Sequence, residues 1–233
     1  MLFGWFYFDW TVLIVLPALI LSIWAQIKVN TTFDKYAKIY NRRGMTGADA
    51  ARKILDSHGL YHIKIEHIRG KLTDHFDPRA NVIRLSDAVY GSVSAAAIGV
   101  AAHEAGHAVQ HAQGYFSIRV RAAIIPTTRI GSMLAIPIFF IGLLFASPEL
   151  LLAGILLYSL VAFFQLVTLP VEFNASARAI RVLRTSGTLS EDELSAAKKV
   201  LTAAALTYVA ALLTSLLTLL RLVVLAGGSN RRR

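Results

Sequence analysis

Residues 150–170 read LLLAGILLYSLVAFFQLVTLP and carry no charged side chain. Because a helix needs about 20 apolar residues to cross the hydrocarbon core of a bilayer, this stretch predicts a membrane-spanning helix. A second apolar stretch covers residues 130–146, and only the tripeptide SPE separates the two. A connection this short leaves room for a tight turn alone, so we predict a transmembrane hairpin over residues 122–170.

Two further apolar stretches lie towards the two ends of the sequence. Residues 10–27 follow an aromatic cluster at residues 5–10, which is typical of a membrane interface. They lack the basic start and the small-residue cleavage site of a signal peptide, so we predict a retained transmembrane helix within residues 1–27. The apolar pattern of residues 201–225 predicts another membrane helix. A basic tail follows this helix, so the C-terminal segment covers residues 201–233.

The composition agrees with a membrane protein. Of the 233 residues, 55% are hydrophobic and only 16% are charged, whereas ordinary globular domains have about 25% charged residues. The chain has no cysteine. Disulfides, thiolate metal sites and cysteine nucleophiles are therefore excluded, and any metal site must use His, Asp or Glu.

The formal net charge of +10 suits a nucleic-acid partner, but the distribution of the charges argues against one. None of the 24 Lys and Arg residues precedes Lys28, and residues 130–177 contain none. This segregation follows the positive-inside rule, so we expect an integral membrane protein without a nucleic-acid partner. The polar segments 28–121 and 171–200 would then lie in the cytoplasm. Full crossing by the last helix would place residues 231–233 outside, so whether that helix spans stays open.

The polar segment 28–121 has the pattern of a small α+β module. Together with the apolar stretches it predicts a mainly α membrane protein with about four transmembrane helices and a small α+β cytoplasmic module. The predicted elements of the module are a helix with a capping box at Thr46 and Asp49, strands at residues 63–68 and 81–86, and a long helix that begins at Ser92 or Ser94 and ends at Gly114.

The long helix contains the run HEAGH at residues 103–107. His103 and His107 are four residues apart and share one helical face, so their imidazole nitrogens can converge on one zinc ion. Glu104 is offset by one residue, so it can reach a water beside the ion without binding the ion itself. This arrangement predicts one Zn²⁺ per chain and Glu104 as the general base. Two surface histidines on an Ala-rich helix are the alternative, and the expected burial of residues 97–102 weighs against it.

A hydrolytic zinc site needs a third protein ligand and one open position. His111 follows His103 by eight residues, and the corresponding helix rise of about 12 Å is too long for both to bind one ion. Glu172 is the better candidate, because an acidic residue where a spanning helix meets an amphipathic one is costly without a partner. The predicted hairpin would also return the chain to the same side of the membrane. The alternative is that Glu172 is an acid at a helix N-terminus, stabilised by the helix dipole.

Three blocks of sequence carry a resemblance to a known family. They are HEAGHAVQH at residues 103–111, DHFDPRANVIRLSDAVYGS at residues 74–92 and PVEFNASARA at residues 170–179. Together they resemble the neutral zinc metallopeptidases of bacterial membranes, the YugP-type family, and the resemblance covers most of the chain. It implies a metalloendopeptidase that is anchored in the bacterial cytoplasmic membrane and whose α+β module is zincin-like.

The resemblance also implies roles for single residues. His103, His107 and Glu172 would bind zinc, with Glu104 as the general base. The chain is similar as well to the HtpX-type and CAAX-prenyl membrane proteases, which supply the third zinc ligand from a Glu-x-x-Ala-Asp helix. Ser176 stands where those enzymes have Asp, so the surroundings of the metal must differ here.

Four polar residues near the predicted ligands could hold those ligands in place or stabilise the reacting oxygen. Asn174 and Arg178 share the helix of Glu172, although Arg178 is equally well explained as an anchor at the cytoplasmic interface. The full set is His111, Asn174, Ser176 and Arg178.

The predicted strand before the HEAGH helix could bind an extended substrate by strand addition, if it lies at the edge of its sheet. A packed internal strand is equally compatible with the sequence. His75 and Asp77 precede this strand, and we expect them in a turn. The residues of the predicted substrate edge are Asn81, Val82, Ile83 and Arg84.

Three functions fit these patterns. The favoured one is a membrane-anchored zinc metallopeptidase that acts on peptides or proteins, membrane proteins included. A site-2-type intramembrane protease is less compatible, because the charges of Arg84, Asp87, Arg119 and Arg121 flank the HEAGH helix closely. A zinc-stabilised membrane scaffold that cuts nothing would need the same ligands. The sequence does not define the substrate or the oligomeric state.

Overall fold

A computed structural model describes residues 9–230 of the chain. The aromatic residues 5–8 and the basic tail 231–233, both used in the sequence predictions, lie outside the described residues. The elements are, in chain order, α1 (Val12–Tyr36), α2 (Gly47–Ser57), β1 (Lys64–Ile68), β2 (His75–Asp77), β3 (Val82–Ser86), α3 (Ala95–Ala112), α4 (Phe116–Leu144), α5 (Pro148–Thr185) and α6 (Glu191–Asn230).

Helices α1, α4, α5 and α6 are long and apolar enough to cross a membrane. This confirms the predicted fold class, a mainly α membrane protein with a small α+β module. The helices run further than the apolar stretches alone indicate. Helix α5 continues without a break through Pro170, and α6 starts at Glu191, well before the apolar stretch that begins at residue 201. The polar segment that we predicted between these points is therefore part of two long helices and the turn that joins them.

The chain divides into two compact units. In the first unit, glycines allow helices α4 and α5 to approach closely. A Cβ atom added to Gly142 would lie 2.7 Å from the backbone nitrogen of Leu151, and one added to Gly154 would lie 2.7 Å from the Cβ of Phe139. Small residues of this kind let helices pack in lipid, where no hydrophobic force brings them together. The first unit comprises residues up to Trp24, residues Ala123–Leu166 and residues from Val209 onward.

The second unit, Ala25–Ala122 with Val167–Tyr208, contains a three-stranded sheet in the order β1-β3-β2. Strand β3 pairs in parallel with β1 and in antiparallel with β2. Its Ile83 and Leu85 side chains are fully buried in the hydrophobic core. The strands predicted at residues 63–68 and 81–86 are confirmed as β1 and β3, each of which begins one residue later than predicted.

Two predictions about this sheet were wrong. The predicted substrate edge of Asn81, Val82, Ile83 and Arg84 is not an edge, because β1 and β2 pair with the two sides of β3. The Arg84 side chain forms ion pairs with Glu66, at 3.2 Å, and Asp77, at 3.0 Å, which compensate its charge locally. His75 and Asp77 lie in β2, a strand of three residues that is too short to produce an alternating pattern, and not in the turn itself. The Asp77 carboxylate nevertheless stabilises the turn before β3, because it accepts hydrogen bonds from the backbones of Arg79 and Ala80 at 2.9 Å and 3.2 Å.

The helix starts of the module follow the predicted caps. The Thr46 hydroxyl accepts a hydrogen bond from the Asp49 backbone at 3.1 Å, and the Asp49 carboxylate accepts one from the Thr46 backbone at 3.0 Å. The Ser94 hydroxyl accepts a hydrogen bond from the Ala97 backbone at 3.2 Å, which identifies Ser94 rather than Ser92 as the cap of α3. Each side-chain oxygen satisfies a backbone N–H that the first turn of a helix leaves free.

Helix α3 packs closely against two long helices of the second unit. A Cβ atom on Gly99 would lie 3.1 Å from the Cβ of Ala197 in α6, and one on Gly106 would lie 2.9 Å from the carbonyl oxygen of Ala175 in α5. Gly106 is the fourth residue of HEAGH, and Ala175 lies one turn beyond Glu172. The absence of a side chain at residue 106 therefore allows the HEAGH helix to lie against the helix that carries Glu172.

We expect Gly106→Ala to destabilise the protein, because the added methyl group would overlap a backbone atom that cannot turn away. Overpacking of this kind costs about 1–3 kcal/mol, which lowers the melting temperature of a domain of this size by roughly 2–12 °C. The matched control is Gly91→Ala, because no atom of the described residues lies within 4 Å of a Cβ built at Gly91. Equal melting temperatures for the two variants in detergent would contradict the close contact between α3 and α5.

Candidate metal centre

Three side chains of the second unit converge with their acceptor atoms on one point. His103 and His107 extend from consecutive turns of α3, and Glu172 faces them from α5. The His103 Nε2 atom lies 3.1 Å from His107 Nε2 and 3.2 Å from Glu172 Oε2, and His107 Nε2 lies 3.4 Å from the same oxygen. Glu172 is only 2% exposed, so its carboxylate is almost completely withdrawn from solvent.

The hydrogen bonds of Gln110 determine which nitrogen of His107 carries the proton. The Gln110 amide nitrogen donates to the backbone oxygen of Val171 and to Oδ1 of Asn174, each at 2.9 Å. Asn174 Oδ1 also accepts from Arg178, which can only donate. The Gln110 oxygen is therefore the atom that lies 3.0 Å from His107 Nδ1, and it accepts the Nδ1 proton. This assignment leaves a free lone pair on His107 Nε2, directed at the convergence point.

His103 has a comparable partner on its outer nitrogen. The Ser176 hydroxyl lies 3.1 Å from His103 Nδ1. Ser176 is four residues after Glu172 on α5, so the same helix supplies one candidate ligand and orients another. A hydroxyl is a weaker hydrogen-bond acceptor than a carboxylate, because it carries no charge.

Arg121 holds the second oxygen of Glu172. Its guanidinium donates to Glu172 Oε1 at 3.1 Å, whereas Oε2 faces the two histidines. One oxygen of the carboxylate therefore contacts the arginine, and the other faces the convergence point.

The pKa of His107 reflects its neighbours. Burial lowers this pKa, but the hydrogen bond with Glu172 and the charges of Glu104 and Glu172 outweigh burial, so that the pKa is raised overall.

The convergence of three lone pairs requires a cation between them, either a proton or a metal ion. In a tetrahedral zinc site with ligands at about 2.0–2.1 Å, neighbouring ligand atoms are about 3.4 Å apart. The three contacts of 3.1–3.4 Å fit one face of such a tetrahedron and leave its fourth position open. Two imidazoles and a carboxylate are also a ligand set that catalytic zinc commonly takes. His103, His107 and Glu172 are thus able to hold zinc.

Glu104 lies beside this cluster without joining it. The side chain is buried, at 8% exposure, and lines a cavity that His103, Asp74 and Tyr208 also line. Within residues 9–230, no hydrogen bond or ion pair holds the Glu104 carboxylate. Burial raises the pKa of the neighbouring Asp74 and the charge of Glu104 raises it further, against two hydrogen bonds from Ser86. A free carboxylate next to the three ligand atoms is available to a water molecule in the cavity.

The other predicted neighbours of the metal have separate positions. Asn174 and Arg178 both lie behind His107, where Asn174 accepts from Gln110 and from Arg178 at 2.7 Å. His111 is exposed at the far end of α3, with its ring edge-on to Phe76 at 6.0 Å. No hydrogen bond in the described part of the chain joins the His111 side chain to a candidate ligand, so it does not steady the metal site.

The sequence analysis missed three residues of this site: Gln110, Arg121 and Tyr208. Gln110 has a detectable signal, because a glutamine three residues after His107 is unusual on a helix made largely of Ala, Val and Gly. Arg121 was noted only as a flanking charge. Tyr208 lies beside Glu172 and lines the Glu104 cavity, but it is one of several polar residues on α6 and has no distinctive spacing.

Comparison with known proteins agrees with this geometry. Residues 11–227 match the model of a family described as "Putative neutral zinc metallopeptidase". The chain is 48% identical over 214 residues to the "Putative membrane protease YugP" of Bacillus subtilis (strain 168), an alignment that covers 92% of this chain and 95% of that protein. No solved structure matches the chain. A family match of this extent, together with a relative of this similarity, shows that the chain belongs to the neutral zinc metallopeptidase family of membrane proteins.

Proposed function

We propose that the protein is a membrane-anchored metalloendopeptidase that binds one zinc ion through His103, His107 and Glu172 and hydrolyses peptide bonds in peptides or proteins. The observation that carries this proposal is the convergence of three acceptor atoms at 3.1–3.4 Å beside the unpaired carboxylate of Glu104. A purely structural site has no use for a buried base that faces a cavity. Helix α3 is not among the four helices of residues 9–230 that could span a membrane, which disfavours the intramembrane alternative.

The residues of the chain would have the following roles in peptide-bond hydrolysis. A bound zinc ion supplies Lewis acidity, which polarises a carbonyl group and makes a water molecule acidic near neutral pH. Glu104 then accepts a proton from the attacking water and can return it to the leaving amine, so that a single carboxylate is base and then acid. Arg121 keeps Glu172 Oε1 occupied, which leaves one carboxylate oxygen for the metal.

The hydrogen bonds behind the ligands support the same function. Gln110 and Ser176 contact the outer nitrogens of His107 and His103, at 3.0 Å and 3.1 Å. Partners of this kind fix the tautomer and the orientation of a metal-binding imidazole before the metal arrives.

We further propose that the site faces the cytoplasm. The module that carries α3 is rich in Lys and Arg, whereas the turn between α4 and α5 at residues 145–147 has none. Under the positive-inside rule this asymmetry supports a cytoplasmic module and an outside turn.

Glu104→Gln separates catalysis from metal binding. We expect this variant to keep the zinc content of the wild type and to lose at least about 100-fold in casein cleavage, because the amide cannot accept the proton. His107→Ala and Glu172→Ala are expected to lose both zinc and activity. Full activity of Glu104→Gln would contradict the mechanism, and full zinc content of Glu172→Ala would contradict the ligand set.

The wild type distinguishes the peptidase from a zinc-stabilised scaffold. A wild type that is stabilised by zinc but cleaves nothing in a diverse peptide library would indicate a scaffold.

Gln110→Leu tests the support of His107. Without the oxygen that accepts its Nδ1 proton, the imidazole is free to change tautomer, and we expect zinc affinity to fall about 10- to 100-fold. Competition with a zinc chelator measures this change. Gln113→Leu is the control, since Gln113 contacts Arg178 but neither histidine. Equal zinc affinities in the two variants would show that Gln110 serves packing alone.

The chain has no cysteine, so single introduced cysteines can report the topology. We expect a membrane-impermeant maleimide to label Ser147→Cys, in the turn between α4 and α5, in intact cells. Arg79→Cys, in the module, should be labelled only after the cells are permeabilised. The reverse pattern would place the active site outside the cytoplasm.

A further inference from the structure

A second cavity of the second unit lies between α5 and α6, next to the metal centre and beside the cavity of Glu104, with which it shares Leu201. Its apolar lining includes the buried Leu201 and the exposed Phe173. Three cations also line it: Arg181, Arg184 and Lys198. We call this cavity the α5–α6 groove, defined by Phe173, Ser176, Ala177, Ile180, Arg181, Arg184, Thr185, Lys198, Leu201, Thr202 and Ala205.

The groove has a polar end and an apolar end. On α5 the apolar residues come before the cations, and on α6 they come after Lys198. Because a turn of only five residues joins the two helices, they run in opposite directions, and the cations of both lie at the end nearer that turn. From the apolar end, both helices continue into sequence that is long and apolar enough to span a membrane.

The charge at the polar end is only partly compensated. Arg184 lies 3.7 Å from Glu191, and both side chains are well exposed. Among the described residues, neither Arg181 nor Lys198 has an acidic side chain within ion-pair distance. The described residues that line the groove include no acidic side chain. An anion at this end would therefore meet three positive charges, of which only that of Arg184 has a negative partner.

We propose that the α5–α6 groove binds one anionic phospholipid, with its headgroup phosphate at Arg181, Arg184 and Lys198 and an acyl chain along Phe173, Ala177 and Leu201. Basic pockets between membrane helices are a recurrent recognition site for anionic headgroups. A soluble acidic peptide would match the cations but would leave the apolar end against lipid without an aliphatic partner. The lipid satisfies both ends and comes from the surrounding bilayer.

The groove touches the metal centre at one residue. Ser176 lines the groove, and its hydroxyl lies 3.1 Å from Nδ1 of His103. A lipid in the groove would therefore lie directly behind a candidate zinc ligand. Lipid binding itself, however, does not depend on catalysis and can be measured on the inactive Glu104→Gln variant.

The test is native mass spectrometry of the full-length protein in detergent, with equimolar phosphatidylglycerol and phosphatidylcholine of identical acyl chains. We expect a preference for phosphatidylglycerol of about fivefold for each cation that contacts the headgroup. The triple variant Arg181→Gln, Arg184→Gln, Lys198→Gln should lose this preference, whereas Arg181→Lys, Arg184→Lys, Lys198→Arg should keep it. The control variant Lys38→Gln, Lys64→Gln, Arg79→Gln removes the same charge from exposed cations elsewhere in the second unit and should behave as the wild type.

Ala177→Trp tests the apolar end, because an indole at this exposed position would fill the groove and should reduce retention of both lipids. Equal retention of the two lipids by the wild type would overturn the proposal. So would an equal loss in the groove and control triple variants, which would indicate attraction by total charge. Displacement of the bound lipid by a soluble oligoglutamate peptide would assign the groove to acidic peptides instead.

Discussion

The mutual approach of two imidazole nitrogens and one carboxylate oxygen is the constraint on which the rest of the second unit depends. His103 Nε2, His107 Nε2 and Glu172 Oε2 lie 3.1–3.4 Å apart in an almost solvent-free position. Such an arrangement is repulsive unless a cation occupies the centre, so the fold must hold the three side chains together. Much of the surrounding sequence can be understood as the means of doing so.

A close helix contact and a set of hydrogen bonds hold the three candidate ligands in position. Gly106 allows α3 to lie close to α5, because a Cβ atom added to it would lie only 2.9 Å from the carbonyl oxygen of Ala175. This close approach of the two helices sets the distance between Glu172 and the two histidines. Gln110 and Ser176 then orient the imidazole rings from behind, and Arg121 orients the carboxylate. The backbone contact sets the spacing of the ligands, and the hydrogen bonds set the direction of their lone pairs.

The sequence predicts the parts of this site that follow from local spacing. Four residues of helix place His103 and His107 on one face, and a buried charge made Glu172 conspicuous. Arg121 and Tyr208 could not be found in this way, because their roles depend on how α4 and α6 pack, which no local pattern records. The prediction of β3 as an edge strand was wrong for the same reason, because an alternating pattern indicates a strand but not the strands that pair with it. Similarly, apolar stretches located the membrane helices, while the polar extensions of α5 and α6 follow from tertiary packing in the second unit.

Ser176 belongs both to the surroundings of the metal centre and to the α5–α6 groove, because its hydroxyl lies beside His103 and its side chain lines the groove. The central claim remains that two imidazoles and one carboxylate hold zinc with one position open. Zinc K-edge X-ray absorption of the purified full-length protein tests it most directly. We predict four light-atom ligands at about 2.0–2.1 Å, of which two are imidazoles, one is a carboxylate oxygen and one comes from solvent. A zinc ion with three or more imidazoles, or a protein that retains no zinc when purified in its presence, would contradict the account.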